Sequence, residues 1–99
     1  MSVKTETQTE VQLVRGTFTP SEAYDLMLGL IDEKINFHKL QRLRWCEGYF
    51  KADTSYADTR IAELEEEKQK VRQYIREARE SGQLVRISGR VELTLDTEN

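Results

Sequence analysis

Ninety-nine residues, 37% of them hydrophobic, allow one domain with a thin core, which self-association would relieve. Fifteen basic residues against eighteen acidic ones leave a net charge of −3, which excludes a global field that would draw the molecule onto nucleic acid or an anionic membrane. The single Cys46 excludes an internal disulfide, and no apolar run approaches the roughly 20 residues of a membrane span or the core of a signal peptide, so a reduced, cytoplasmic protein is expected.

From Val3 to Leu13 the odd positions carry Val3, Thr5, Thr7, Thr9, Val11 and Leu13, and the even positions Lys4, Glu6, Gln8, Glu10 and Gln12. This period of two predicts a strand. Its apolar part lies at the end, so residues 11–18 are read as strand, and residues 1–10 as either its extension or a disordered Thr/Glu tail.

Thr19-Pro20-Ser21-Glu22 supplies a hydroxyl cap, a proline at the first helical position and a glutamate placed to reach back to the cap. A first helix is therefore predicted over 19–47, with Phe18 and Ala23 at the positions of a hydrophobic staple. Ala23, Leu26, Met27, Leu30, Ile31, Phe37, His38 and Trp45 follow helical spacing, flanked by Leu28, Ile35 and Leu40. A stripe that wide touches more than one neighbour.

Gly48 ends this helix and 48–54 form the connection, in which Asp53, Thr54 and Ser55 compete as caps and Ser55 and Asp58 stand at capping-box spacing. The second helix is predicted over 55–81. Its seam reads Ala57, Ile61, Leu64, Lys68, Val71, Ile75, Ala78, a heptad alternation broken once, by a lysine that either snorkels or sets the register. Glu66 and Lys70 stand at supporting i, i+4 spacing, and Gly82 occupies the place of a left-handed cap. Over 84–96 the period returns to two, with Val85, Ile87, Gly89, Val91, Leu93 and Leu95 on one face of a strand.

The charges orient the helices. Glu22, Asp25, Asp32 and Glu33 make the first half of helix one acidic, while Lys34, Lys39, Arg42 and Arg44 make its second half basic. From Asp53 to Glu67 there are six acids and one base, net −5; from Lys68 to Glu80 five bases and two acids, net +3. An antiparallel hairpin sets acid beside base, and parallel packing would set like against like. Exposed pairs contribute only ~0.2–1 kcal/mol each, so the pattern selects orientation more than it stabilises. The expected fold is α+β with order β-α-α-β: a long antiparallel helical hairpin whose terminal strands pair at its base. A lone two-stranded ribbon is marginal and has open edges, which a homodimer would complete through Val85, Ile87, Val91, Leu93 and Leu95.

Little in the chain suggests chemistry. There is one histidine, one cysteine and no glycine-rich phosphate loop. His38 falls on the apolar stripe and is read as an interface histidine held by a neighbouring acid; Glu33 lies off its face, so no metal site, cofactor or catalytic residue is assigned. Trp45, Tyr49, Phe50 and Tyr56 crowd the turn, either as a local core pinning the helices or as a partner-binding tip. Lys39, Arg42, Arg44 and Trp45 form a basic run with an aromatic, the best nucleic-acid candidate, with Glu63 and Glu65 to Glu67 expected to neutralise it. Tyr24 and Tyr74 fall in the same half of the hairpin and could meet. The function expected is that of a non-catalytic adaptor or regulatory protein that binds another protein as a homodimer; a nucleic-acid-associated factor is the alternative, and a metal-binding or enzymatic protein comes third.

Overall fold

The first helix begins where its sequence demands. In the computed structural model, which describes residues 8–48 and 54–96 and only the backbone of 45–48, the Thr19 backbone N–H donates to Glu22 Oε1 at 2.9 Å and the Glu22 N–H donates to Thr19 Oγ1 at 3.1 Å. This is a reciprocal capping box. Strand β1 (Gln8–Phe18) precedes it, helix α1 runs Pro20–Gly48, α2 runs Ser55–Ser81, and strand β2 (Val85–Thr94) closes the chain. The order is β-α-α-β, as expected, with ends within a few residues of those read from the sequence. Residues 1–7 and most of the connection lie outside the described residues.

Thr54 is the residue before α2, without the side-chain-to-backbone bond of a cap; its hydroxyl donates to Asp58 Oδ2 instead. The other end follows expectation. Gly82 adopts φ +70°, its N–H donates to Arg79 O, and the Gln83 N–H donates to Ala78 O at 3.0 Å. That pair of bonds satisfies the last carbonyls and turns the chain out of the helix.

The helices run antiparallel along most of their length. Arg79 donates to Ser21 Oγ at the base (3.4 Å), Lys68 Nζ meets Asp32 Oδ1 midway (2.8 Å), and Arg42 meets Asp58 Oδ1 near the connection (2.7 Å). In each pair the residue numbers add to 100, the mark of an antiparallel register without slippage. The last two pairs join the acidic half of one helix to the basic half of the other. Lys68 buries its stem in the seam, its side chain 15% exposed, and extends its ammonium to α1. Lys70 pairs with Glu67 (3.2 Å) rather than with Glu66, and Arg60 with Glu63.

The core is a line along this seam: Ala23, Leu28, Ile31, Ile35 and His38 from α1 and Ala57, Ile75 and Ala78 from α2, joined at the base by Val14. Leu28 and Ile35, flank positions in the sequence pattern, are central here, and Phe37 turns outward.

β1 and β2 pair antiparallel, from Phe18 opposite Val85 to Gln8 opposite Thr94. Between Gln12 and Val14 the register shifts, and Leu13 is the extra residue of a β-bulge. Gln12 Nε2 donates to both Val14 O and Gly89 O at 3.1 Å, fixing the bulge. The bulge changes the parity of β1. Thr9 and Val11 oppose Leu93 and Val91, but beyond it the even residues Val14, Gly16 and Phe18 oppose Gly89, Ile87 and Val85. The odd-numbered row read from the sequence therefore ends at Val11, and Leu13 is exposed. Phe18 lies across Gly16, where a methyl group would come within 3.3 Å of its Cζ.

The molecule is thin and spread out. Its extents are 52 × 48 × 14 Å and its radius of gyration is 18.0 Å, against about 13 Å for a compact chain of this length. The ribbon meets the helices near its base, where Val14 is 9% exposed; farther out, Val11 is 43% and Leu93 53% exposed.

Candidate interaction surfaces

Most of the exposed apolar side chains gather in two places, with Leu13, Tyr74 and Leu84 apart from both. The first is the far half of the ribbon, where Val11, Val91, Leu93 and Leu95 extend the apolar face that Val14, Val85 and Ile87 present to the hairpin. Near the base this face bends into a groove of about 400 Å³ between α2 and β2, lined by Met27, Val71, Tyr74, Ile75, Val85 and Ile87. Its walls are apolar because the α2 seam and the inward row of β2 meet there. Tyr74 is exposed on the rim, while the Tyr24 ring lies 5.8 Å from the Arg79 guanidinium. The pairing of the two tyrosines imagined from their positions is replaced by this cation–π contact.

The second place is the outer face of α1 toward the connection, where Phe37, Leu40 and Leu43 are exposed. They stand three residues apart and form a ridge separate from the buried Leu28, Ile31, Ile35 and His38 row. The sequence signal for this ridge is the excessive width of the apolar stripe, and Leu43 lies outside the stripe and flanks named above. Of the aromatic cluster assigned to the tip, Tyr56 is exposed and its ring stands edge-on to His38 at 5.9 Å. Tyr49, Phe50 and the Trp45 side chain lie outside the described residues.

His38 is 1% exposed. Its Nε2 lies 3.1 Å from Lys34 Nζ and its Nδ1 3.0 Å from Gln41 Oε1. An ammonium can only donate, so Nε2 accepts from Lys34 and the Nδ1–H donates to the Gln41 carbonyl. The partners expected of it were acids; a lysine and a glutamine of its own helix take that role, one turn to either side. Both ring nitrogens are engaged and the ring is enclosed, with the Phe37 ring edge-on at 5.3 Å, which suits structural packing better than proton transfer. Among the described residues no three His, Cys, Asp or Glu side chains converge as a metal site would require.

The basic run does not form one patch. Arg42 is drawn toward α2 by Asp58, and Arg44, two residues on at ~100° per residue, projects from nearly the opposite side of the helix. Lys39 and Arg44 are exposed. The glutamates expected to neutralise the run lie elsewhere: Glu63 and Glu67 pair within α2 and Glu65 approaches Lys68. Among the described residues no helix is long and apolar enough to cross a membrane. Comparison with family models, with curated proteins and with solved structures yields no match.

Proposed function

We propose that this chain is a non-catalytic protein-binding protein, an adaptor or regulatory subunit, that works as a homodimer in the reducing environment of the cytoplasm. One observation carries the reading: most of the exposed apolar side chains, though not Leu13, Tyr74 and Leu84, are divided between two separate surfaces, the far ribbon and the outer ridge of α1, on a molecule too thin to bury them itself. Isolated exposed apolar residues are ordinary, but contiguous rows mark interaction sites.

In this reading the two surfaces have different partners. The ribbon, with Val85, Ile87, Val91, Leu93 and Leu95, meets a second copy of the chain. The ridge Phe37, Leu40 and Leu43, with Tyr56 and with Trp45, Tyr49 and Phe50 following in sequence, receives another protein through the large side chains that dominate interface energetics.

The test is affinity capture of native partners with the wild-type chain and with a Phe37→Ser, Leu40→Ser, Leu43→Ser variant. The expected result is loss of a specific, stoichiometric partner with helix content unchanged by circular dichroism. Equal capture by both proteins removes the ridge from the function.

A further inference from the structure

We infer that the partner of the ribbon is a second copy of this chain joined edge to edge through β2, antiparallel to itself about a twofold axis at Gly89. The two edges of the ribbon are not equivalent. β1 carries the bulge at Leu13, a device that interrupts further pairing, whereas all ten residues of β2 run without a break.

The charges on β2 select the register. Within the ribbon Glu92 stands directly opposite Glu10, a like-charge cross-strand pair that is unfavourable by itself. Among the described residues it is relieved by Gln8 Nε2, which donates to Glu92 Oε2 at 3.0 Å, and by Arg90, which stays 3.8 Å from Glu10. Arg86 is exposed and, among the described residues, makes no ion pair. Pairing two β2 strands about Gly89 sets Arg86 of each copy opposite Glu92 of the other. Both needs are met twice by one symmetric contact.

Neighbouring registers that keep the apolar faces together do worse. An axis at Ser88 opposes Arg86 to Arg90 of the other copy, and an axis at Arg90 opposes that residue to itself. An axis at Val91 pairs Arg90 with Glu92 but leaves Arg86 facing Asp96, beyond the end of β2 at Thr94. The Gly89 axis also places the exposed Val91 and Leu93 of one copy beside Ile87 and Val85 of the other, on the wall of the apolar groove. The uncovered half of each ribbon thus lies against the half that the other hairpin covers, and the two ribbons become a four-stranded sheet.

Charge exchange tests this in low salt, with mass read by analytical ultracentrifugation and folding by circular dichroism. The wild type is expected at twice the 11.6 kDa chain, Arg86→Glu and Glu92→Arg each to weaken the dimer at least tenfold, and the double variant to restore it. Glu92→Arg also removes the repulsion with Glu10, so loss of the dimer in that variant does not come from unfolding. The pairing rests on the homodimer proposed above, and the outcomes separate the two. A wild type that stays monomeric ends both; a dimer indifferent to either single substitution keeps the homodimer and overturns the Gly89 register, in which each single substitution sets like charges opposite each other. Single variants that dissociate without rescue in the double variant, or rescue only by Arg90→Glu with Glu92→Arg, overturn the Gly89 register.

Discussion

The hairpin and the ribbon of this molecule are built from similar proportions of apolar residues and end in opposite conditions. In the hairpin each helix supplies what the other lacks: Leu28, Ile31 and Ile35 of α1 and Ala57, Ile75 and Ala78 of α2 are all buried along the seam, and Asp32 and Asp58 meet Lys68 and Arg42. The ribbon has two strands, one apolar face covered only near Val14, and two glutamates set against each other at its far end. Two helices can close on themselves because each needs one covered stripe. Two strands cannot, because a sheet needs both edges and one face satisfied.

The two regions should respond most differently to loss of the same kind of side chain from each. Ile75→Ala, at a seam position 2% exposed, is expected to cost about 2–5 kcal/mol of stability. Leu93→Ala should cost under ~0.5 kcal/mol in the monomer, as exposed positions do, and act instead on association. Urea denaturation at several protein concentrations separates the two, and equal costs would mean that the ribbon is as self-sufficient as the hairpin.

The joints between the regions come next. Gly82→Ala forces a side chain into the left-handed conformation at the exit from α2, and thermal unfolding should report a loss of about 1–2 kcal/mol. At the entry to α1, Thr19→Ala should cost about 1 kcal/mol, and in a Glu22→Ala background less, since the capping box is reciprocal. Independent losses would argue that the two hydrogen bonds are not one unit.

The smallest effect lies within the hairpin. A double-mutant cycle on Asp32 and Lys68 should give a coupling below about 1 kcal/mol, because the Asp32 carboxylate is largely exposed. A larger value would mean that the cross-helix ion pairs stabilise the hairpin rather than orient it.

The hairpin was far more legible from the sequence than the ribbon. Pro20 with Thr19 and Glu22, Gly82, and the polarity of charge along both helices are local or additive signals, and they located both helices and their antiparallel sense. The register was beyond them. A constant sum of 100 places Glu63 to Glu67 across from residues 33–37, not from Lys39 to Arg44, so Asp58 is the acid that meets Arg42. The α1 stripe spans too wide an arc to say which side faces α2, so that helical spacing alone puts Leu28 and Ile35 on the flanks and Phe37 in the interior. In β1, alternation cannot reveal an extra residue, since Leu13 and Val14 are both apolar and either could continue the row. The bulge became visible only when β2 supplied the other side of the ladder. Of the candidate surfaces, the ribbon row Val85 to Leu95 was apparent from its period of two, whereas the ridge Phe37, Leu40, Leu43 was present only as surplus width.

Residue-resolved hydrogen exchange, followed as the protein is diluted, puts the contrast between the two regions to its most direct test. Amides of the α2 seam around Ile75 should keep their protection at every concentration, while those on the outer edge of β2 should be protected when concentrated and lose protection in step with dissociation of the dimer. Protection of β2 that does not change with concentration would contradict the account, because the ribbon would then be complete in a single chain.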